Sequence, residues 1–193
     1  MHVEHLTRYY SLTCAVDDVS FDLAKGEVLG FLGPNGAGKS STMQMITGNL
    51  APGAGQISIA GTDLLDQPKR AKRDIGYLPE QPPVYRELTV NEYLRYCAKL
   101  NRIPRSHNSS AVATAKDRCG LGDAGRRLIR NLSKGYQQRV GIAQAIIHSP
   151  AVVLLDEPTV GLDPLQIREI RALICELGKE HGIILSTHIL PEV

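Results

Sequence analysis

At 193 residues, the chain has the length of one ordinary domain, or of a domain carrying a small inserted lobe. Hydrophobic residues at 42% and charged residues at 22% describe a globular protein with a real core, and a net charge of +2 gives no signal for nucleic acid or an acidic partner. Cys14, Cys97, Cys119 and Cys175 form no C-x-x-C pair, MHVEHLTRYY has no apolar leader region, and no run approaches the roughly eighteen apolar residues of a membrane span, so a reduced, cytosolic protein is expected.

In chain order, His2 to Leu6 and Val19 to Leu23 alternate apolar and polar residues, as half-buried strands do. Tyr9 and Tyr10 fall between them and are expected in a polar loop. Either could be a packing tyrosine or an aromatic platform for an adenine ring. The stretch Glu27 to Ile46 then dominates the chain. An apolar run (Val28, Leu29, Phe31, Leu32) leads into Gly33-Pro34-Asn35-Gly36-Ala37-Gly38-Lys39-Ser40, which fits G-x-x-x-x-G-K-[ST], and an apolar-periodic segment follows. Glycines allow successive backbone N–H groups to point at phosphate oxygens, and the following helix N-terminus favours an anion. Lys39 would reach the β- and γ-phosphates and the Ser40 hydroxyl would ligate Mg²⁺.

Gly48 is expected to end that helix and Pro52 to Gly55 to form a turn before a strand over Gln56 to Ala60. The basic run Lys69, Arg70, Lys72, Arg73 reads as a solvated helix face without assigned function. Ile75 to Leu78 is a short strand stopped by Pro79 to Pro83. Thr89-x-x-Glu92 is a capping-box pattern opening a helix through Val90, Tyr93, Leu94, Cys97 and Leu100. A polar gap (Ser106 to Ser110) and a second helical stretch to Cys119 follow. Residues 82–132 therefore read as a helical lobe, with Arg126, Arg127 and Arg130 as a solvated face.

The α/β body resumes with a helix over Tyr136 to His148. Val152 to Leu155 runs unbroken into Asp156 and Glu157, the pattern of a strand covered on both faces in a parallel sheet. Asp163-Pro164 opens the next helix as N-cap and first residue, Ile167, Ile170, Leu173, Ile174 and Leu177 form its stripe, and Gly182 is expected to end it. Ile183 to Ser186 is another buried strand, leading to Thr187 and His188.

Open α/β sheets bind ligands outside the carboxyl ends of their strands. Four apolar strands here deliver polar chemistry just past that end: Lys39 and Ser40, Gln81, Asp156 with Glu157, and His188. Together they fit hydrolysis of a nucleotide's terminal phosphate. Asp156 would hold Mg²⁺ opposite Ser40, directly or through water, and Glu157 would orient and deprotonate the attacking water. Gln81 would touch the metal or the water, and His188 the γ-phosphate. Leu132-Ser133-Lys134-Gly135-Tyr136-Gln137 precedes a long helix, and a Ser and a Gly at a helix N-terminus form a second anion site. With the phosphates already cradled by residues 33–40, that site points to a symmetric dimer in which Ser133 and Gly135 complete the other chain's ATP site.

This pattern resembles the nucleotide-binding domain of an ABC (ATP-binding cassette) transporter over essentially the whole chain. Walker A corresponds to Gly33 to Ser40 with Ser41 following, the Q-loop glutamine to Gln81, and Walker B to Val152 to Asp156 with Glu157 after it. Asp163 stands in the D-loop and His188 is the H-loop histidine. By its spacing to Ala15-Val16, Tyr10 matches the adenine-stacking position better than Tyr9. The signature departs from LSGGQ, with Lys134 between Ser133 and Gly135 and Gln137 one place late. With Leu78-Pro79-Glu80 and Tyr85-x-Glu87-Leu88-Thr89-Val90, that variant is similar to ATPases of bacterial type-two exporters, among them gliding-motility, antibiotic-resistance and sodium-efflux systems.

The resemblance implies an α/β P-loop NTPase with a mainly parallel central sheet, an N-terminal antiparallel β region and an inserted helical lobe. The core would be residues 1–81 and 133–193 and the lobe residues 82–132. The family continues beyond a point five residues after His188, so a C-terminal part is expected to be missing. The implied function is ATP- and Mg²⁺-dependent export, at the cytoplasmic face of the membrane, by a pair of ATPase subunits (a homodimer) working on an integral membrane permease subunit, without nucleic acid. A soluble ABC ATPase acting on ribosomes or DNA would be expected to carry two cassettes and room for a long coiled coil, and a module that only holds ATP would not need Glu157.

Overall fold

Alternating segments at the start of the chain fold as a hairpin: β1 (His2–Tyr10) pairs antiparallel with β2 (Thr13–Asp22). In the computed structural model, which describes residues 1–187, Tyr9 and Tyr10 lie opposite Cys14 and Thr13 and so end a strand, not a loop. The reason is a tight turn at Ser11 and Leu12, with Ser11 at φ 52°, that leaves both β-favouring tyrosines on the ladder. β4 (Ala54–Ile59) and β5 (Thr62–Asp63) complete an antiparallel sheet in the order β2-β1-β4-β5. Ala54 and Gly55, expected in the turn, already belong to β4.

The second sheet is parallel. β3 (Val28–Leu32), β6 (Ile75–Leu78), β7 (Val152–Asp156) and β8 (Gly182–Thr187) run in the order β3-β8-β7-β6. Its register aligns the carboxyl ends, Leu32 opposite Thr187, Asp156 opposite Ser186 and Leu78 opposite Leu155. The unbroken apolar runs of β7 and β8 have the predicted cause. Val153, Leu155, Ile183 and Leu185 face one core with α5 (Lys134–Ile146) and α6 (Pro164–Gly178), and Val152, Leu154 and Ile184 face another with the antiparallel sheet and α1 (Lys39–Ile46). Each fully buried aliphatic side chain of this kind is worth about 1.5–3 kcal/mol.

Between β5 and β6 the basic run forms α2 (Pro68–Ala71) and a 3₁₀ turn (Lys72–Asp74). Between β6 and α5 the chain is helical. α3 (Val90–Leu100) starts at Thr89 with the expected capping box, Thr89 accepting from the Glu92 N–H while Glu92 accepts from the Thr89 N–H, which holds the Glu92 carboxyl below its ordinary range. The anticipated gap at Ser106 to Ser110 is instead part of α4 (Arg105–Arg118). That helix buries only Val112 and Ala115, so it has no apolar period to read, and the Ser110 hydroxyl is satisfied by the His107 carbonyl at 2.9 Å. α6 ends at Gly178, not Gly182. Gly182 opens β8 because a Cβ there would press on the Ala24 carbonyl and Leu23.

Candidate nucleotide-binding site

The loop between β3 and α1 is built as its sequence requires. Gly36 and Gly38 take φ +83° and +85°, a region L side chains rarely occupy, and a Cβ on Gly38 would collide with the Ala15 carbonyl of β2. Lys39 Nζ donates to the Gly33 carbonyl at 2.6 Å and to the Pro34 carbonyl at 3.1 Å, so the ammonium is held at the loop. α1 begins with no acidic side chain in its first turn and no side-chain cap, leaving its positive end available to an anion. Pro34, Asn35, Gly36, Ala37 and Ser40 are exposed: the phosphate loop is an open face.

At the neighbouring strand ends the polar groups are wired together. The Ser186 hydroxyl donates to Asp156 Oδ1 at 2.5 Å and accepts from the Glu157 N–H at 3.0 Å. The Glu157 N–H also reaches the Ser186 carbonyl at 3.2 Å. Asp156 is buried, 6% exposed, so its position is set by these partners rather than by solvent. Glu157 sits at φ +48°, a strained conformation for a residue with a Cβ. Tyr77 on β6 stands near enough that burial, and then the Asp156 charge, push its hydroxyl up to about 12. It stays neutral at any working pH.

Tyr10, rather than Tyr9, is tied to this site: its hydroxyl lies 3.4 Å from Ser41 Oγ at the start of α1. The Arg8 guanidinium stands 5.3 Å from the Tyr10 ring centroid, so one ring face already carries a cation. Gln81 follows β6 by three residues and is exposed. It lines a cavity of about 520 Å³ with Glu80, Pro82, Lys134 and Val160. His188 lies outside the described residues.

Ser133 caps α5, accepting from the Tyr136 N–H at 3.4 Å, while remaining exposed. Ser133, Gly135 and Asp163 line one small cavity with Gln166, and neither this cavity nor the one lined by Lys134 includes a residue of the phosphate loop. Asp163 caps α6, its carboxylate accepting from Leu165 and Gln166 at 3.0 and 2.9 Å. The structure thus gathers Gly33–Ser41, Tyr10, Asp156 and Glu157 at one sheet edge and leaves Ser133 and Lys134 exposed beside Asp163, with Gly135 buried against Gln166.

Two contacts escaped the sequence. Ser186 looked like the last residue of a buried strand; a hydroxyl closing an apolar run was the only signal. Lys134 runs across Gly161 (φ +70°), so closely that a Cβ there would meet its ammonium, and no local pattern announces that contact.

The ABC transporter family model matches residues 16–160. The bacitracin transport ATP-binding protein BcrA of Bacillus licheniformis is 40% identical over 190 residues, covering 97% of this chain and 61% of that protein. The ABC transporter ATP-binding protein NatA of Bacillus subtilis is 40% identical over 181 residues, covering 93% of this chain and 74% of NatA. Among solved structures, cbiO1 from Clostridium perfringens, described as part of the ABC transporter complex cbiONQ, superposes with a TM-score of 0.89 at 32% identity, over 100% of this chain and 79% of that one. This chain spans about three-fifths of the length of BcrA. With a family match over residues 16–160, about three quarters of its length, the chain belongs to the ABC transporter family.

Proposed function

We propose that this chain binds ATP with Mg²⁺ and hydrolyses it, as one of two identical ATPase subunits that drive export through a separate integral membrane permease subunit. The observation that carries the reading is the shared edge of the parallel sheet, where a phosphate loop with its lysine meets the Asp156–Ser186–Glu157 network. ATP phosphates lie in residues 33–41 with Tyr10 at the base. Glu157 takes a proton from water as its oxygen bonds to the γ-phosphorus, and the bond to the β–γ bridging oxygen breaks to release ADP and phosphate. Gln81 and His188 orient the water and the γ-phosphate.

The donor set fits Mg²⁺. No group of three or more His, Cys, Asp or Glu able to hold a metal exists among the described residues, and Mg²⁺ characteristically needs only one or two protein oxygens beside substrate phosphates. Ser40 and Asp156, with Gln81, would hold it, and it would supply neutralisation of phosphate charge.

The open phosphate loop and the exposed Ser133 and Lys134 support a paired site in which each chain covers the other's ATP, with Gly135 behind them and Asp163 at the seam. No helix among the described residues is long and apolar enough to cross a membrane, which agrees with a membrane path supplied by another subunit and a peripheral place at the cytoplasmic face. BcrA is by name a bacitracin transport ATP-binding protein, which supports work on a transporter. In this reading residues 82–132 form the lobe that meets the permease.

The test joins two measurements on the full-length protein. Phosphate release should vanish in Lys39→Ala and Glu157→Gln, with ATP still bound by the latter. Purification in mild detergent should bring down a polytopic membrane protein. Ribosomal or DNA-repair partners instead would overturn the export reading.

A further inference from the structure

The net charge of +2 conceals a local concentration. At the amino-terminal edge of the parallel sheet, opposite the nucleotide site, a cavity of about 500 Å³ is lined by Lys69, Lys72, Arg73, Arg102 and His148. Lys69, Lys72 and Arg73 come from α2 and the 3₁₀ turn before β6, and His148 from just beyond α5. Arg102 comes from the α3–α4 turn, so the cavity is walled by the sheet body on one side and the helical segment on the other.

None of the four cations has a carboxylate within ion-pair distance among the described residues, whereas Arg118, Arg130, Arg139 and Lys179 each do. Lys72 donates to the Gly48 carbonyl at 2.9 Å, which anchors one wall. His148 feels burial first, which disfavours its charge, and also the opposing charge of Asp74. The imidazole donates Nε2–H to the Ile75 carbonyl at 3.0 Å, and its Nδ1 is buried with no hydrogen-bond partner among the described residues. Like charges around a concave opening repel one another, and they focus potential onto an anion that enters.

We propose that this cavity is a further anion site, separate from the phosphate loop and from Ser133, taking a multiply charged phosphate group, either a soluble phosphate compound or a lipid phosphate headgroup. Two guanidinium forks and two ammonium groups match a phosphate bearing two or more charges better than a single carboxylate. The concave shape admits a headgroup or small molecule but not a flat surface. A bound anion bridges Arg102 on the helical segment to Lys69 and Arg73 on the sheet body, and so braces two parts of the chain that ATP does not join.

The experiment uses the full-length protein saturated with ADP, whose own titration reports separately on the phosphate loop. Inorganic pyrophosphate is then titrated calorimetrically, and in a parallel arm the protein is sedimented with vesicles containing phosphatidic acid or only phosphatidylcholine. Expected is one additional equivalent of pyrophosphate, or phosphatidic-acid-dependent sedimentation, weakened at least tenfold in Arg73→Glu/Arg102→Glu and in the milder Lys69→Gln/Arg102→Gln, both with ADP affinity unchanged. Pyrophosphate binding identifies a soluble source and vesicle binding alone a headgroup. Binding in neither arm, or equal binding by wild type and both variants, overturns the site.

Discussion

Ser186 Oγ donates to Asp156 Oδ1 at 2.5 Å across the β7–β8 register, and the same oxygen receives the Glu157 N–H. One hydroxyl therefore sets the Asp156 carboxylate, the proposed metal-side acid, and the backbone of Glu157, the proposed base, together. Ser186→Ala leaves a buried carboxylate oxygen without its donor, a loss of about 1–3 kcal/mol. The expected result is turnover lowered roughly tenfold or more, with ATP affinity nearly unchanged, read by steady-state phosphate release beside equilibrium nucleotide binding. A parallel loss of both would assign Ser186 to folding alone.

Glu157 holds φ +48°, where glycine is at ease and other residues are not. Glu157→Gly and Glu157→Ala both remove the carboxylate, and both should be inactive. Only glycine relieves the backbone, by about 1 kcal/mol. Denaturant unfolding should therefore find the glycine variant the more stable of the two. The reverse order would remove the strain argument.

The strands and acids were legible because the forces that place them are local in sequence. Val152 to Leu155 and Ile183 to Leu185 announce two covered faces by lacking any polar residue, and Asp156 announces itself as a charge leaving that run. What was not legible depends on register or on distant contact. Ser186 matters because β8 places it opposite Asp156, a fact of pairing rather than of pattern. α4 carries no helical signal over Ser106 to Ser110 because a helix with little to bury shows no period. Tyr9 and Tyr10 read as loop because nothing in their composition fixes a turn as tight as Ser11-Leu12.

Gly161 should show a second cost from its neighbour Lys134. Gly161→Ala meets both the left-handed backbone, φ +70°, and the Lys134 ammonium. In a Lys134→Ala background only the backbone cost remains. A double-mutant cycle in unfolding free energy should give a coupling of about 0.5–1 kcal/mol. Strict additivity would show that Lys134 swings aside freely.

Histidines divide the pH dependence. Burial lowers the His148 pKa below 6.5, so the unfolded chain takes the proton first, and stability is lost as pH falls from 6.5 through the folded value. His2 and His5, exposed and paired with Asp22 and Asp18, have raised values. Their contribution is complete below 6.5 and fades as pH rises through the folded values. In phosphate-free buffer, the stability advantage of wild type over His148→Gln should therefore shrink between pH 7.5 and pH 5.5. An advantage that grows on acidification would reverse the assignment.

The pairing of two chains around ATP is tested most directly by sedimentation velocity of full-length Glu157→Gln with ATP and Mg²⁺. Bound but unhydrolysed ATP should double the sedimenting mass, and adding Ser133→Arg should return it to that of one chain while ATP still binds its own phosphate loop. A Glu157→Gln protein that binds ATP and remains a single chain at high concentration would contradict the shared site.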